Sequence, residues 1–181
     1  MSNRKKPVRK ARFTSDTRGV AAIEFAFIAP LLILILFGCI SFFQFYRTGL
    51  ALDRATATVS DLMSRQETLS SSYLDRRIKT NLSRLVGEGI QPLEMRVSSL
   101  TMDGGSYRVD WTYPRTAGPG FAGRALPMDI LPRIANGDSV LLTETTITQQ
   151  ALIDVAGVPQ VSHNSTAAVR PRFYRQIAGP Y

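Results

Sequence analysis

One acidic residue, Glu24, stands at the start of a long apolar run and is the side chain best placed to do chemistry. Residues 25–43 contain no charge, and a carboxylate within such a span costs roughly 2.5–3.5 kcal/mol at mid-membrane, less near its end. Two interpretations stay open. Glu24 is either a boundary acid in the first helical turn, where the helix dipole favours negative charge, or a carboxylate that pairs with a cation. If the chain is cut after Gly19, the new amine of Val20 supplies that cation, in the same chain or in a neighbouring one.

The rest of the sequence shows no pattern of catalytic residues. His163 is the only histidine and is predicted to lie in a polar loop, so no histidine-based metal site or triad can be assembled from this chain alone. The later acids are dispersed, and no serine stands in a nucleophile-elbow pattern. These acids are Asp103, Asp110, Asp129, Asp138, Glu144 and Asp154. We therefore expect no enzyme, no cofactor, no metal and no small-molecule substrate.

The element that must position Glu24 is predicted to be a membrane helix. Residues 25–43, extended by 20–23 and 45–46, reach the length of about 20 residues that a spanning helix needs. In lipid the backbone amides must be satisfied within the segment, which favours helix over strand. A secretory signal is the competing interpretation, but its apolar core is typically about 7–15 residues and ends at a small-x-small cleavage site. We expect a membrane anchor over residues 20–46.

The positive charge of the chain is concentrated before this span. Of the net charge of +8, residues 1–19 hold seven basic residues against Asp16, hence +6, and the other 162 residues hold +2. The basic residues are Arg4, Lys5, Lys6, Arg9, Lys10, Arg12 and Arg18. The positive-inside rule then predicts a cytoplasmic leader over 1–19, in contact with inner-membrane lipid, and an exported domain over 47–181. No aromatic or helical reading element accompanies the basic cluster, so nucleic acid is not an expected partner.

The residues around the start of the span resemble a known family. A basic leader that ends in Gly19, followed by four residues and then Glu24-Phe25, is similar to the site cut by prepilin peptidases. Residues 19–26, followed by Ala-Pro-Leu-Leu at 29–32, resemble the TadE-like pseudopilins of tight-adherence (Flp-type) pilus assembly.

The resemblance extends from Arg18 to about Arg65. It returns weakly at 136–140 and 168–172, which look like the C-terminal strand ends of the family. The larger TadG-like relatives are the second choice. The resemblance implies cleavage between Gly19 and Val20, and a role for Glu24 and Phe25 in processing or assembly.

Two helical segments are predicted at the start of the exported part. The membrane helix is expected to continue to Arg65, because residues 48–65 hold no proline and show one apolar stripe. That stripe consists of Leu52, Ala55, Val59 and Leu62, with Ser60 and Ser64 assigned to the remaining surface. A second helix follows, with Ser72 and Asp75 as a capping pair and Gly87 and Gly89 at its end. Its apolar stripe consists of Leu74, Ile78, Leu82, Leu85 and Val86.

Strands are predicted after Pro92, where the apolar period changes to two. Alternating runs on both sides of residues 103–106 indicate a β-hairpin, and further strands are expected at 140–148 and 167–173. Residues 114–136 contain four prolines and are predicted to form a long loop that contacts a partner. The expected fold is α+β and pilin-like: a long N-terminal transmembrane helix that continues into a small domain, where a second helix packs on an antiparallel sheet of about four strands.

The predicted function is that of a minor pseudopilin in the assembly or initiation of a tight-adherence (Flp/type IVb) pilus, processed by a prepilin peptidase after Gly19. Its expected partners are the peptidase, other pilins or pseudopilins, the assembly platform and inner-membrane lipid. It is expected in the inner membrane as a single-pass protein with a periplasmic C-terminal domain, and incorporation into the fibre is left open. The alternative is an uncleaved, signal-anchored envelope protein whose exported domain is a binding module.

Overall fold

The computed structural model describes residues 18–87, 90, 93–116, 118–151, 157 and 159–180. The predicted leader cations at positions 4–12, Gly89, Pro92 and Asp154 lie outside the described residues. Within them, helix α1 runs over Arg18–Ser64, and a π-helical turn at Tyr73–Ile78 leads into helix α2 at Lys79–Val86.

The strands form one antiparallel sheet in the order β2-β1-β3-β4 among the described residues. They are β1 at Leu93–Asp103, β2 at Ser106–Tyr113, β3 at Ser139–Gln150 and β4 at Gln160–Val169. Gly104 and Gly105, both with positive φ, form the turn between β1 and β2, as a two-residue hairpin requires. The predicted α+β fold, with a long first helix and a second helix on an antiparallel sheet, is confirmed.

The core lies between the two helices and one face of the sheet. Because side chains alternate along a strand, the register places Leu93, Met95 and Val97 of β1 on the same face as Ile147 of β3. The C-terminal half of α1 and the whole of α2 cover this face. The buried helical side chains are Leu52, Ala55, Val59, Met63, Leu74, Ile78, Leu82 and Val86.

Three details of the predicted helices are wrong. Leu62 is 38% exposed and Met63 is buried in its place, because a step of four residues from Val59 stays on the buried face while a step of three reaches its edge. Ser60 and Ser64, assigned to the surface, are buried. Along the π-helical turn and α2 the buried residues Leu74, Ile78, Leu82 and Val86 follow one another in steps of four, so Leu85 lies off the buried face and is 49% exposed.

The predicted cap is displaced as well. Ser72 makes no capping hydrogen bond, and the hydroxyl of Ser70 accepts the bond from the amide of Tyr73 at 3.2 Å. The end of α2 at Gly87, with φ of 128°, agrees with the prediction.

The last strand is also shifted. β4 occupies Gln160–Val169 instead of 167–173, and Phe173 lies outside it with 72% of its surface exposed. His163, predicted to lie in a loop, is therefore a strand residue. Six of the ten β4 residues are polar, so the strand lacks the apolar alternation by which β1 and β2 were predicted.

Candidate assembly surface

The first part of α1, Gly19–Leu36, is an exposed apolar segment that we call the rod. From Gly19 to Leu36 every residue is exposed except the half-buried Ala29. Among the described residues α1 is the one helix long and apolar enough to cross a membrane, as judged by length and composition. The prediction of a candidate single-pass membrane anchor is confirmed, and its membrane and orientation stay predictions.

The predicted processing residues lie at the beginning of this rod. Arg18 and Gly19 are the first described residues of α1, and the Gly19–Val20 bond lies within the helix. Glu24 follows Val20 by four residues, which places both on one helix face about 6 Å apart along the axis. Val20 and Phe25 are 56% and 67% exposed.

The carboxylate of Glu24 is exposed and pairs with no described side chain. The leader cations lie outside the described residues, and so does the side chain of Arg18. Both interpretations of Glu24 therefore stay predictions, as do the roles assigned to Gly19, Val20 and Phe25.

The C-terminal half of α1 is fixed to the sheet by apolar packing and a polar seam. Leu52 and Val59 are completely buried. Between them, the hydroxyl of Thr56 donates to the Leu52 carbonyl at 2.8 Å and lies 2.6 Å from the hydroxyl of Thr145 on β3. A buried hydroxyl without a partner costs about 1–3 kcal/mol, so this contact holds the helix at one position along the strand.

A second contact lies where α1 leaves the predicted span. The ring of His163 on β4 stands 6.4 Å from the ring of Phe45, measured between centroids. A Cβ atom at Gly49 would be only 3.2 Å from Nδ1 of His163, so the absence of a side chain lets β4 approach the helix here. Burial lowers the pKa of His163, and the charge of Asp53 opposes this shift.

The C-terminal segment closes the opposite end of the helix. Arg172 donates its amide to the Ser64 carbonyl at 2.9 Å, and its guanidinium pairs with Asp61. Asp61 also pairs with Arg65 at 2.7 Å. The pKa of Asp61 is lowered, most strongly by the hydrogen bond from Arg65. Desolvation, the second-largest contribution, opposes this shift, and the hydrogen bond and charge of Arg172 add to the lowering.

The two weak patches of the sequence resemblance meet in the structure. Residues 136–140 contain Asp138, and residues 168–172 contain Arg170, whose guanidinium lies 2.6 Å from the Asp138 carboxylate. Just beyond this pair, Leu141 of β3 pairs with Val169 of β4. The prediction that both patches mark strand ends agrees with β3 beginning at Ser139 and β4 ending at Val169.

The outer face of the sheet carries a buried ion pair that the sequence did not predict. Nε and Nη2 of Arg96 donate to the two carboxylate oxygens of Glu144 at 2.6 and 2.9 Å. Nη1 of Arg96 donates to the carbonyl of Arg124, and the guanidinium carbon lies 5.0 Å from the ring centroid of the buried Phe121. The pair thus holds the long loop 114–136 against the sheet. The sequence features that could have indicated this ion pair are an Arg and a Glu in two predicted strands and an aromatic residue in a long loop.

The same loop presents exposed apolar side chains. Met128 and Ile130 are 43% and 47% exposed, while the hydroxyl of Tyr107 on β2 bonds to the Pro132 carbonyl. The predicted loop is confirmed as irregular chain with two short 3-10 turns, at Pro119–Phe121 and Met128–Ile130. Its role as a partner contact stays a prediction.

No three His, Cys, Asp or Glu side chains of the described segments come together in a way that would hold a metal ion. That the chain is not an enzyme stays a prediction.

Together these features define a class of protein: a small α+β domain carried on one long helix, half of which is apolar and exposed. A comparison with protein families matches residues 19–61 to the family of TadE-like proteins, which confirms the resemblance drawn from the sequence. The matched segment comprises the exposed rod and most of the half that is fixed to the domain. This family suggests a protein associated with the tight-adherence pilus; the TadG-like second choice stays a prediction. Comparisons with curated proteins and with solved structures give no match.

Proposed function

We propose that this chain is a minor pseudopilin that acts in the assembly or initiation of a tight-adherence (Flp/type IVb) pilus. The observation that carries the proposal is the TadE-like match at 19–61, which begins at the residue after which cleavage is expected. In this proposal the rod lies in the inner membrane, the leader is cytoplasmic and the domain is periplasmic. A prepilin peptidase removes residues 1–19, and other pilins or pseudopilins and the assembly platform are the later partners.

The proposed mechanism rests on one charge pair. Cleavage after Gly19 creates an amine on Val20, one helical turn from Glu24. Either charge is costly to bury alone in an apolar environment, whereas a pair recovers much of that cost. When the amine of one chain meets the carboxylate of its neighbour, the pair sets the axial register of the two helices. Because α1 is continuous to Ser64, this register also sets the height of the domain.

The cleavage step is tested by the N-terminal mass of the mature protein. The full chain is co-expressed with a prepilin peptidase of a tight-adherence system, purified from membranes and examined by intact mass spectrometry. We expect Val20 as the first residue, and an uncut chain when Gly19→Ile is the substrate. A protein that supports pilus assembly while it retains Met1 or Ser2 would contradict the proposal.

The charge pair is tested by Glu24→Ala. We expect membrane insertion to be unchanged, because removal of a carboxylate lowers the cost of insertion. Pilus assembly is expected to fall about tenfold or more, corresponding to a loss of at least ~1.4 kcal/mol at each helix contact. Glu67→Ala, an exposed acid outside the rod, is the matched control and is expected to assemble normally. Pili in normal number from Glu24→Ala would show that the carboxylate does not set the register.

One observation favours the alternative of a binding module. On the outer face of the sheet a cleft of about 380 Å³ lies between β3, β4 and the long loop. Glu94 and Arg124 line it, and each is held in place: Glu94 accepts the amide of Gly120, and Arg124 donates to Asn164 at 2.9 Å. A chain that stays uncut and whose function depends on these two side chains would favour this alternative over the pseudopilin.

A further inference from the structure

A groove of about 420 Å³ lies where α1 emerges from the predicted membrane span and meets β4. It is lined by one stripe of α1 and by two alternate residues of β4. The lining residues are Phe42, Phe45, Tyr46, Gly49, Leu50, Asp53, Val161 and His163. Gly49 and the packed ring of His163 form its floor, since a Cβ at Gly49 would contact that ring.

The groove opens onto the lipid-facing surface of the rod. Phe42 and Tyr46 at its lower end are each 67% exposed and continue the apolar side chains of the span. Aromatic residues at this position of a spanning helix lie at the level of the lipid headgroups. An apolar groove that continues the lipid-facing surface at that level is in contact with lipid.

Asp53 determines the charge of the groove. Asp53 is one of the lining residues. The exposed Arg54 and Arg47 project about 100° and 120° away from Asp53 on the helical wheel, at 100° per residue. Burial lowers the pKa of His163 and so disfavours a positive charge on its ring. The groove therefore presents one carboxylate and favours a cationic group.

The height of Asp53 fits the headgroup of a bound lipid. It lies seven residues beyond Tyr46, or about 10 Å along the axis. The polar layer of each leaflet is about 5–7 Å thick, and the Cα–Cβ bonds of a helix tilt toward its N-terminus, so the Asp53 side chain leans back toward the membrane. The distance that remains between Asp53 and the polar layer is short enough for the Asp53 carboxylate to meet the ammonium of an ethanolamine headgroup.

We propose that the groove binds one phospholipid of the spanned membrane, with an acyl chain along Phe42 and Leu50 and a primary-ammonium headgroup on the Asp53 carboxylate. Bound there, the lipid fills the space between helix and sheet at the membrane surface and fixes the domain upright on its anchor. The proposal requires that α1 spans a membrane, and it holds whether or not the leader is cleaved or the chain enters a pilus.

The test measures which lipid the full chain retains. The protein in micelles is incubated with equal amounts of phosphatidylethanolamine, phosphatidylcholine and phosphatidylglycerol of identical acyl chains, and bound lipid is read by native mass spectrometry. We expect one phosphatidylethanolamine per chain, retained about tenfold over the other two. Phosphatidylcholine carries a cation without N–H donors, so it tests whether the headgroup must donate hydrogen bonds. Phosphatidylglycerol is anionic, so it tests whether lipid is held only by attraction to arginines.

Two variants and one control separate the groove from general effects. Asp53→Asn keeps the size of the side chain and is expected to abolish the preference among the three lipids. Asp129→Asn makes the same charge change at an exposed position of the long loop and is expected to retain phosphatidylethanolamine as the wild type does. Leu50→Phe narrows the groove from its 38% exposed wall and is expected to reduce retention of all three lipids, with an unchanged near-UV circular dichroism spectrum.

Three outcomes would overturn the proposal. The first is equal retention of the three lipids by the wild type. The second is an unchanged preference in Asp53→Asn. The third is a dimer without lipid that Leu50→Phe dissociates, which would show that a second copy of the chain occupies the groove.

Discussion

The two halves of α1 differ in apolar content and have opposite surroundings: 18 of the 24 residues at 18–41 are apolar, against 12 of the 23 at 42–64. Leu31, in the first half, is 57% exposed, whereas Leu52, in the second half, is completely buried by the sheet and α2. Both belong to one uninterrupted helix. The apolar side chains of the second half are covered by the domain of the same chain. Those of the first half are left for lipid or for neighbouring helices to cover.

The domain already contacts α1 at the boundary between the halves. Phe45 is 9% exposed, and β4 approaches the helix backbone at Gly49. The domain therefore begins to contact α1 before the predicted span has ended. A helix held in this way transmits any lateral contact of its exposed half to the domain without an intervening hinge.

The largest expected effect comes from truncating the same residue type in each half. Leu52→Ala should lower the free energy of unfolding of the domain by about 2–5 kcal/mol, because it leaves a cavity in the core. Leu31→Ala should leave it unchanged. Urea unfolding of the full chain in micelles, followed by the fluorescence of Trp111, measures both. Trp111 is the single tryptophan, and its indole donates to the Ile177 carbonyl at 2.9 Å. An equal loss in both variants would mean that the exposed half also packs on the domain.

A smaller effect is expected from the polar seam. Thr56→Val removes a hydroxyl that bonds to Thr145 across the helix–sheet contact. It should cost about 0.5–1.5 kcal/mol, the net value of one hydrogen bond, because the Thr145 hydroxyl keeps a longer contact of 3.5 Å to the Ser165 carbonyl. Thr58 offers a matched control, since its hydroxyl makes the same type of bond to a carbonyl four residues back, at 2.7 Å, but is exposed. Thr58→Val should change the free energy of unfolding by less than about 0.5 kcal/mol. Similar losses in the two variants would assign the effect to helix propensity.

The same contrast explains which parts of the fold followed from the sequence. The length of α1, the hairpin at Gly104-Gly105 and the pairing of helices with a sheet all depend on local periodicity and turn chemistry. The exact set of buried helix residues could not be predicted from these signals. Thr56 is fully buried because its hydroxyl meets that of Thr145 on β3, and Ser60 is fully buried with its hydroxyl donated to the Thr56 carbonyl. A hydrophobic pattern alone assigns such residues to the surface.

Contacts between distant segments could not be predicted from the sequence, for a related reason. Arg96 alternates with apolar residues in β1, as a solvent-facing strand position does, whereas Glu144 lies between Thr143 and Thr145 in β3. Both are buried because the loop 114–136 folds over them. The packing of this loop on the sheet joins segments that are distant in the sequence, and no local sequence pattern indicates it. For the candidate site, the sequence singled out Gly19, Val20, Glu24 and Phe25. The TadE-like match of the segment that contains them is confirmed. Their individual roles stay predictions, because those roles depend on contacts with other molecules.

The smallest expected effect tests the boundary between the halves by pH. His163 has a folded-state pKa below 6.5, because burial against Phe45 and Gly49 disfavours its charged form, while Asp53 opposes the shift. The unfolded chain therefore binds more protons than the folded chain in this range, so the free energy of unfolding should fall as pH falls from about 6.5 to the lowered pKa. His163→Phe keeps a ring in contact with Phe45 and removes the titration. The difference between wild type and variant, measured by urea unfolding from about pH 8 to pH 5, should vary over this window and be constant above it. A constant difference throughout would mean that His163 has the same pKa in the folded and the unfolded chain, and that its contact with Phe45 and Gly49 does not disfavour the charged form.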